Sequence, residues 1–154
     1  MARKANYLLQ LTKFIQWPKA LTPDNGSIEF CIFATTPSKE VFQKLHLRKS
    51  QNRIIHMNYI KQDRELAKCN IVFIHKFIPN DIIKKNYYSL ISNNILTIGE
   101  NSSFAKKGGI IEFNMTDKSV DIKINTKTAS EANIHISTNL IEIASSVITQ
   151  GSSD

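Results

Sequence analysis

The residues of this 154-residue chain whose types and spacing bear on chemistry are two cysteines, four histidines, one glycine pair and scattered lysines. Metal chemistry needs several ligands brought together, usually by short local spacings. His46, His56, His75 and His135 show no H-x-x-H or H-x-x-x-H spacing, and two cysteines cannot complete a local zinc motif, so no metal site is expected. Phosphate cradles need glycine-rich turns that bring backbone N–H groups to the anion. Only five glycines occur, with no G-x-G-x-x-G or Walker loop. Gly108-Gly109, which follows Lys106-Lys107, reads instead as a helical turn stopped by a left-handed glycine and a tight entry into a hairpin. No G-x-S-x-G elbow is present, and the carboxylates are spread singly. The residues therefore point to no catalytic group and no cofactor. Cys31 and Cys69 leave two readings open. They are either small buried thiols or, if their strands are neighbours, a disulfide closing a loop of 38 residues.

The elements that must position these residues are legible as periods. Ala5, Leu8, Leu9, Thr12 and Ile15 follow a helical period over 4–17 that Pro18 ends. Pro23-Asp24-Asn25-Gly26 is a turn signal. Ile28 to Ala34, carrying Cys31, is nearly all apolar, as suits a strand covered on both faces. Thr36 caps and Pro37 opens a helix through about His46. Further strands are expected at Arg53 to Ile60, Cys69 to His75 and Ile95 to Ile98, with a short helix around Asp63 to Lys68 and another from Pro79 to about Ile91.

After Gly99 the pattern changes. Ile111, Phe113 and Met115 alternate with polar residues, as do Val120, Ile122 and Ile124, which predicts an antiparallel hairpin with one wet face. Thr126 to Asn133 reads as helical. Ser137 caps a last helix in which Leu140, Ile143, Ala144 and Val147 form an apolar stripe, widened by Ile141 and Ile148. Such a stripe suits a dimer or partner contact, or ordinary core.

Alternating strands and helices predict an α/β fold: a mostly parallel sheet with helices on both faces and a C-terminal antiparallel hairpin, a three-layer sandwich. Neither repeats nor a linker divides the chain, so one domain over 4–148 with a tail at 149–154 is expected. The longest apolar runs are strand-sized, which excludes a transmembrane helix. The net charge of +7 is uneven, with 17 basic and 7 acidic residues up to Lys107 and 3 and 6 after it. The cations are singles and pairs with no aromatic interleaving, so they read as solvated surface and no nucleic acid is expected. Met1 to Trp17 contains no uninterrupted apolar stretch and no cleavage site. The chain is thus either cytoplasmic or a mature domain whose signal peptide has been removed.

Taken together, the pieces resemble the YfiR/HmsC-like family. The carriers are Lys4-Ala5-x-Tyr7-Leu8, Lys13-Phe14-Ile15-x-Trp17-Pro18, Phe30-Cys31-Ile32-Phe33 and Cys69-Asn70-Ile71-Val72-Phe73-Ile74. The most specific block is Leu96-Thr97-Ile98-Gly99-Glu100 with Phe104-Ala105-x-x-Gly108-Gly109-Ile110-Ile111-x-Phe113. Ile124-Asn125 and Ile134-x-Ile136-Ser137-x-x-Leu140 complete it. The resemblance covers essentially residues 4–148.

The resemblance implies an exported, non-catalytic regulator that is commonly a homodimer. The best-known members restrain a membrane-anchored diguanylate cyclase by binding its periplasmic sensor portion, lowering cyclic di-GMP and biofilm or exopolysaccharide output. An outer-membrane lipoprotein sequesters the inhibitor in such systems. It also implies that Cys31 and Cys69 are paired, while the second C-terminal cysteine pair of some members is missing here. Localisation in the periplasm follows, with the signal peptide already removed. The rival readings are a small-molecule-sensing module serving another membrane receptor such as a sensor kinase, and a cytoplasmic enzyme. A sensed ligand or partner is expected at the loop Glu100, Asn101, Ser102, Ser103, Phe104, Lys106 and Lys107, just past the carboxyl end of the fourth strand. Within it, Phe104 is expected to plug the core.

Overall fold

The computed structural model describes residues 2–18, 26–34 and 43–149. The helical period at the N-terminus yields α1 (Ala2–Thr12), shorter than its apolar pattern suggests. The Thr12 hydroxyl donates back to the Leu9 carbonyl at 2.6 Å and also meets Ser50 Oγ at 2.8 Å. The chain then extends, so Ile15 lies in β1 (Ile15–Gln16) and not on the helix. The predicted turn at Pro23 to Gly26 and the predicted helix from Thr36 to His46 fall largely outside the described residues, as does the tail.

β2 (Ser27–Phe33) is followed by β3 (Lys49–Ser50), β4 (Arg53–Ile60), a 3-10 helix (Asp63–Lys68) and β5 (Ile71–Ile74). The predicted helix after Pro79 is two short ones, α2 (Asp81–Lys85) and α3 (Tyr87–Ser92). They meet at Asn86, whose side-chain amide donates to Ile82 O and to Asp63 Oδ2, each at 2.9 Å. An Asn side chain that bonds the backbone nearby competes with helix continuation.

β6 (Leu96–Gly99), β7 (Ile111–Met115), β8 (Val120–Asn125) and α4 (Thr126–Glu131) come next. β9 (His135–Ile136) pairs antiparallel with β1 as a small second sheet. α5 (Thr138–Ile143) and β10 (Ser146–Ile148) end the described fold.

The main sheet has eight strands in the order β10-β8-β7-β6-β5-β2-β4-β3. It is mostly parallel, with antiparallel pairs at β3–β4 and β7–β8. Both faces are covered, which explains the nearly unbroken apolar runs. Ile28, Phe30, Ile32, Ile71 and Phe73 face one core with Leu8 of α1, Ala129 of α4 and Leu140 of α5. Cys31, Phe33, Val72 and Ile74 face the other, with Leu66, Ile83 of α2 and Leu90 of α3. This is the expected α/β sandwich of helices on a mostly parallel sheet.

The C-terminal end departs from expectation. The last helix stops at Ala144, whose backbone is extended. Val147 and Ile148, predicted on its apolar stripe, belong to β10, in parallel register with Ile124 and Asn125 of β8. The hairpin is therefore flanked by a further strand instead of forming the sheet edge. Nor is its polar face uniformly wet, since Glu112 is only 2% exposed.

Candidate functional site

Cys31 and Cys69 are joined, with a Cα–Cα separation of 5.9 Å. Topology brings them together. From β2 the chain moves to β4 on one side and returns to β5 on the other, so the two cysteine-bearing segments become neighbours. Register adds to this, since Phe30 pairs with Ile71 and the Asn70 N–H donates to the Glu29 carbonyl at 2.8 Å.

Two strands from β2, the loop between β6 and β7 is fixed by a side chain and two polar clamps. Phe104 is fully buried, and its ring lies against Gly99 and Gly109. A Cβ placed on Gly99 would sit 2.4 Å from the ring, and one on Gly109 would sit 2.1 Å from it. Both glycines are thus required by close approach, and Gly108 by its φ of +111°. The Ala105 N–H donates to Glu112 Oε1 at 3.1 Å, and Asn125 Nδ2 donates to the Ala105 carbonyl at 2.8 Å. Asn125 Oδ1 in turn accepts from the Thr128 N–H at 3.0 Å and so caps α4. One buried asparagine therefore ties the loop, β8 and α4 together, leaving few buried polar groups unsatisfied.

This anchoring aims the next two residues. Lys106 and Lys107 line a cleft of about 450 Å³ between the β6–β7 loop, α2–α3 and the start of α4. Its other walls are Asn80, Asp81, Lys84 and Tyr87 from the α2–α3 side, and Lys127 and Thr128 from α4. The Tyr87 hydroxyl donates to Glu131, which also pairs with Lys127 Nζ at 2.9 Å. The hydrogen bond from Tyr87, helped by Lys127, holds the Glu131 carboxyl below its usual range. Burial, and next the Glu131 contact, push the Tyr87 phenol up. Asp63, on the 3-10 helix, is lowered by its hydrogen bond from Asn86, opposed by burial.

Of the loop residues expected to meet a ligand, only Lys106 and Lys107 line this cleft. Glu100 turns to α1 and pairs with Lys4 at 2.6 Å. Asn101 donates to the Ile78 carbonyl, and the Ser102 carbonyl accepts from Asn80 Nδ2 at 3.0 Å. Ser103 takes a φ of +67°, and Phe104 is the core plug expected of it. Sequence reading missed Asp81, Lys84, Tyr87 and Lys127. These residues lie on segments remote in sequence from the loop, so no local pattern joins them to it.

The expected dimer or partner helix is not a single surface. Leu140 is buried, while Ile141 and Ala144 pack partly against the core. Ile143 is 70% exposed on α5 and Val147 37% exposed on β10. Among the described residues no group of three or more His, Cys, Asp or Glu is placed to hold a metal, and no helix is long and apolar enough to cross a membrane.

A family model described as YfiR/HmsC-like matches residues 1–145. No curated protein sequence matches the chain. Among solved structures, a conserved domain protein from Vibrio cholerae O1 biovar El Tor str. N16961 is similar with a TM-score of 0.60 at 10% identity, covering 93% of this chain and 59% of that one. The ABC domain in complex with L-Trp from Streptococcus pneumoniae is similar with a TM-score of 0.53 at 14% identity, covering 94% and 60%. The chain thus spans about three fifths of the length of these solved chains, and at such identities they speak to the fold alone.

Proposed function

The chain belongs to the YfiR/HmsC-like family, and from that premise we propose that it is a non-catalytic periplasmic regulator that binds the sensor portion of a membrane-anchored diguanylate cyclase and holds it inactive. The observation that carries this reading is the family match over residues 1–145. The Cys31–Cys69 disulfide supports the compartment, because such bonds persist in oxidising environments. Family membership supports a regulatory role in general, and the cyclase is the partner that the best-known members have.

A regulator of this kind works by differential affinity. It shifts the cyclase only as far as it binds the inactive arrangement better than the active one. Exposed Ile143 and Val147 are the apolar residues proposed for the contact with the cyclase or with a second copy of the chain in a homodimer. An outer-membrane lipoprotein would compete for the free regulator. Deleting the gene is expected to raise cyclic di-GMP and biofilm mass, and cross-linked envelopes are expected to yield the cyclase on pull-down. Unchanged cyclic di-GMP across several growth conditions, with no cyclase recovered, would count against the proposal. Substituting Ile143→Glu should leave the melting temperature within about 2 °C, as for most exposed sites, while weakening cyclase capture or dimerisation. Undiminished capture and assembly would remove Ile143 from the contact.

The cleft beside Lys106 and Lys107 favours a second reading, a small-molecule-sensing module serving another receptor such as a sensor kinase. It gains if no cyclase is recovered and a kinase sensor domain is.

A further inference from the structure

We infer that the cleft between the β6–β7 loop, α2–α3 and α4 is a binding site for a small phosphate-type polyanion. This inference does not depend on which membrane partner the chain serves. Its volume of about 450 Å³ falls within the range of ligand sites, roughly 300–1,000 Å³.

Charge selects the class of ligand. Four lysines line the cleft, from three separate segments, against the single carboxylate of Asp81. Lys127 is engaged by Glu131. Lys84, Lys106 and Lys107 have no ion pair among the described residues. Neighbouring Lys85 is drawn away to Asp63 at 3.4 Å, so the adjacent lysines of that pair serve different ends. Like charges gathered around one cleft against a single lining carboxylate repel one another. A folded protein keeps such an arrangement at a cost that a bound anion removes.

The site is also built and not merely a coincidence of long side chains. Phe104 between two glycines and the Glu112–Ala105–Asn125 clamp fix the backbone directly before Lys106. Asn80, on the opposite wall, has its amide nitrogen committed to Ser102 and its buried Oδ1 without a partner. Lysine ammonium groups act as point charges and bind tetrahedral oxyanions without the planar match that arginine gives carboxylates. Three free ammonium groups around one cleft therefore fit a phosphate or pyrophosphate group better than a planar dicarboxylate.

The test uses the full chain with inorganic pyrophosphate as probe and citrate as the carboxylate arm, by titration calorimetry at low ionic strength. Pyrophosphate should bind at one site, at least ten-fold tighter than citrate. The triple variant Lys84→Gln, Lys106→Gln, Lys107→Gln should weaken it at least ten-fold, and the control Lys118→Gln, on the β7–β8 turn, should not. Because the triple variant alters three residues at once, a second readout uses the unaltered chain. Pyrophosphate should slow acetylation of Lys84, Lys106 and Lys107 several-fold by mass spectrometry, leaving Lys118 unchanged. Equal protection of Lys118, equal weakening by the control, citrate binding as tight as pyrophosphate, or no saturable binding at all would each overturn the assignment.

Discussion

At the scale of single residues, the β6–β7 loop depends on what glycine lacks. Phe104 occupies space that a side chain at 99 or 109 would need, and the closest approach is 2.1 Å at Gly109. The substitution Gly109→Ala must therefore displace the ring or the backbone, and overpacking of this kind costs about 1–3 kcal/mol. Because Phe104 anchors the loop, the loss should be measurable as a lowered denaturant midpoint with faster hydrogen exchange at Ala105 and Lys106. Adding Phe104→Leu should recover part of it by vacating the ring edge. If Gly109→Ala leaves the midpoint unchanged, the ring is not held as described. The sequence shows this block as a string of motif letters. Phe104 can be read as a plug because it is the one large apolar residue in a polar loop, whereas the reason for Gly99 lies in a contact across the loop that no local pattern encodes.

Among elements, the short helices α3 and α4 are tied across the cleft by Tyr87, Glu131 and Lys127. Glu131 is held below its ordinary value of 4.5 by Tyr87 first and Lys127 second, so the folded chain binds protons there more weakly than the unfolded one. Its contribution is present above that ordinary value and is lost as pH falls through the folded one. Lys127 is raised from 10.5 by the same carboxylate, so its contribution is present below 10.5 and lost only on the alkaline side. Urea midpoints should therefore be flat across neutral pH and fall on acidification, and Glu131→Gln should flatten part of the acid limb. The pair is well exposed, so the effect is small. An acid limb identical in the variant would show that Glu131 contributes nothing.

The legibility of elements follows the same division between local and remote causes. β2, β5 and β6 could be read directly because central strands buried on both faces are nearly continuous apolar runs. The C-terminal stripe misled because Leu140, Ile141, Ile143 and Ala144 satisfy a helical period and Val147 and Ile148 happen to extend it. The Ser145 N–H donates to the Ile122 carbonyl at 2.8 Å and starts β10 on the edge of β8. That remote bond, with β-branched residues after it, outweighs the local period. Asn86 divided the predicted second half of the β5–β6 crossover for a similar reason, since its partner Asp63 is far away in sequence. Glu112, read as solvent-facing from alternation, is buried because the preceding loop folds over it.

For the whole molecule, the order of strands decides what the two cysteines do. Their bond closes a loop of 38 residues that contains β3, β4 and the 3-10 helix. It therefore fastens β2 to the entry of β5, with the edge strands β4 and β3 inside the loop it closes. In the chain-entropy view, a loop of that length contributes about 4 kcal/mol by restricting the unfolded chain. The double substitution Cys31→Ala, Cys69→Ala should thus lower the melting temperature by roughly 8–16 °C for a domain of this size. Both positions are buried on the side of the sheet away from α1, and alanine there removes only sulfur, so packing adds little. Reduction of the unaltered chain should then reproduce most of the loss, which separates the cross-link from the packing of the side chains. A drop of only a degree or two in both would mean the loop is already confined when unfolded. In that case a reducing compartment would be no threat to the fold, and the bond would stop supporting export.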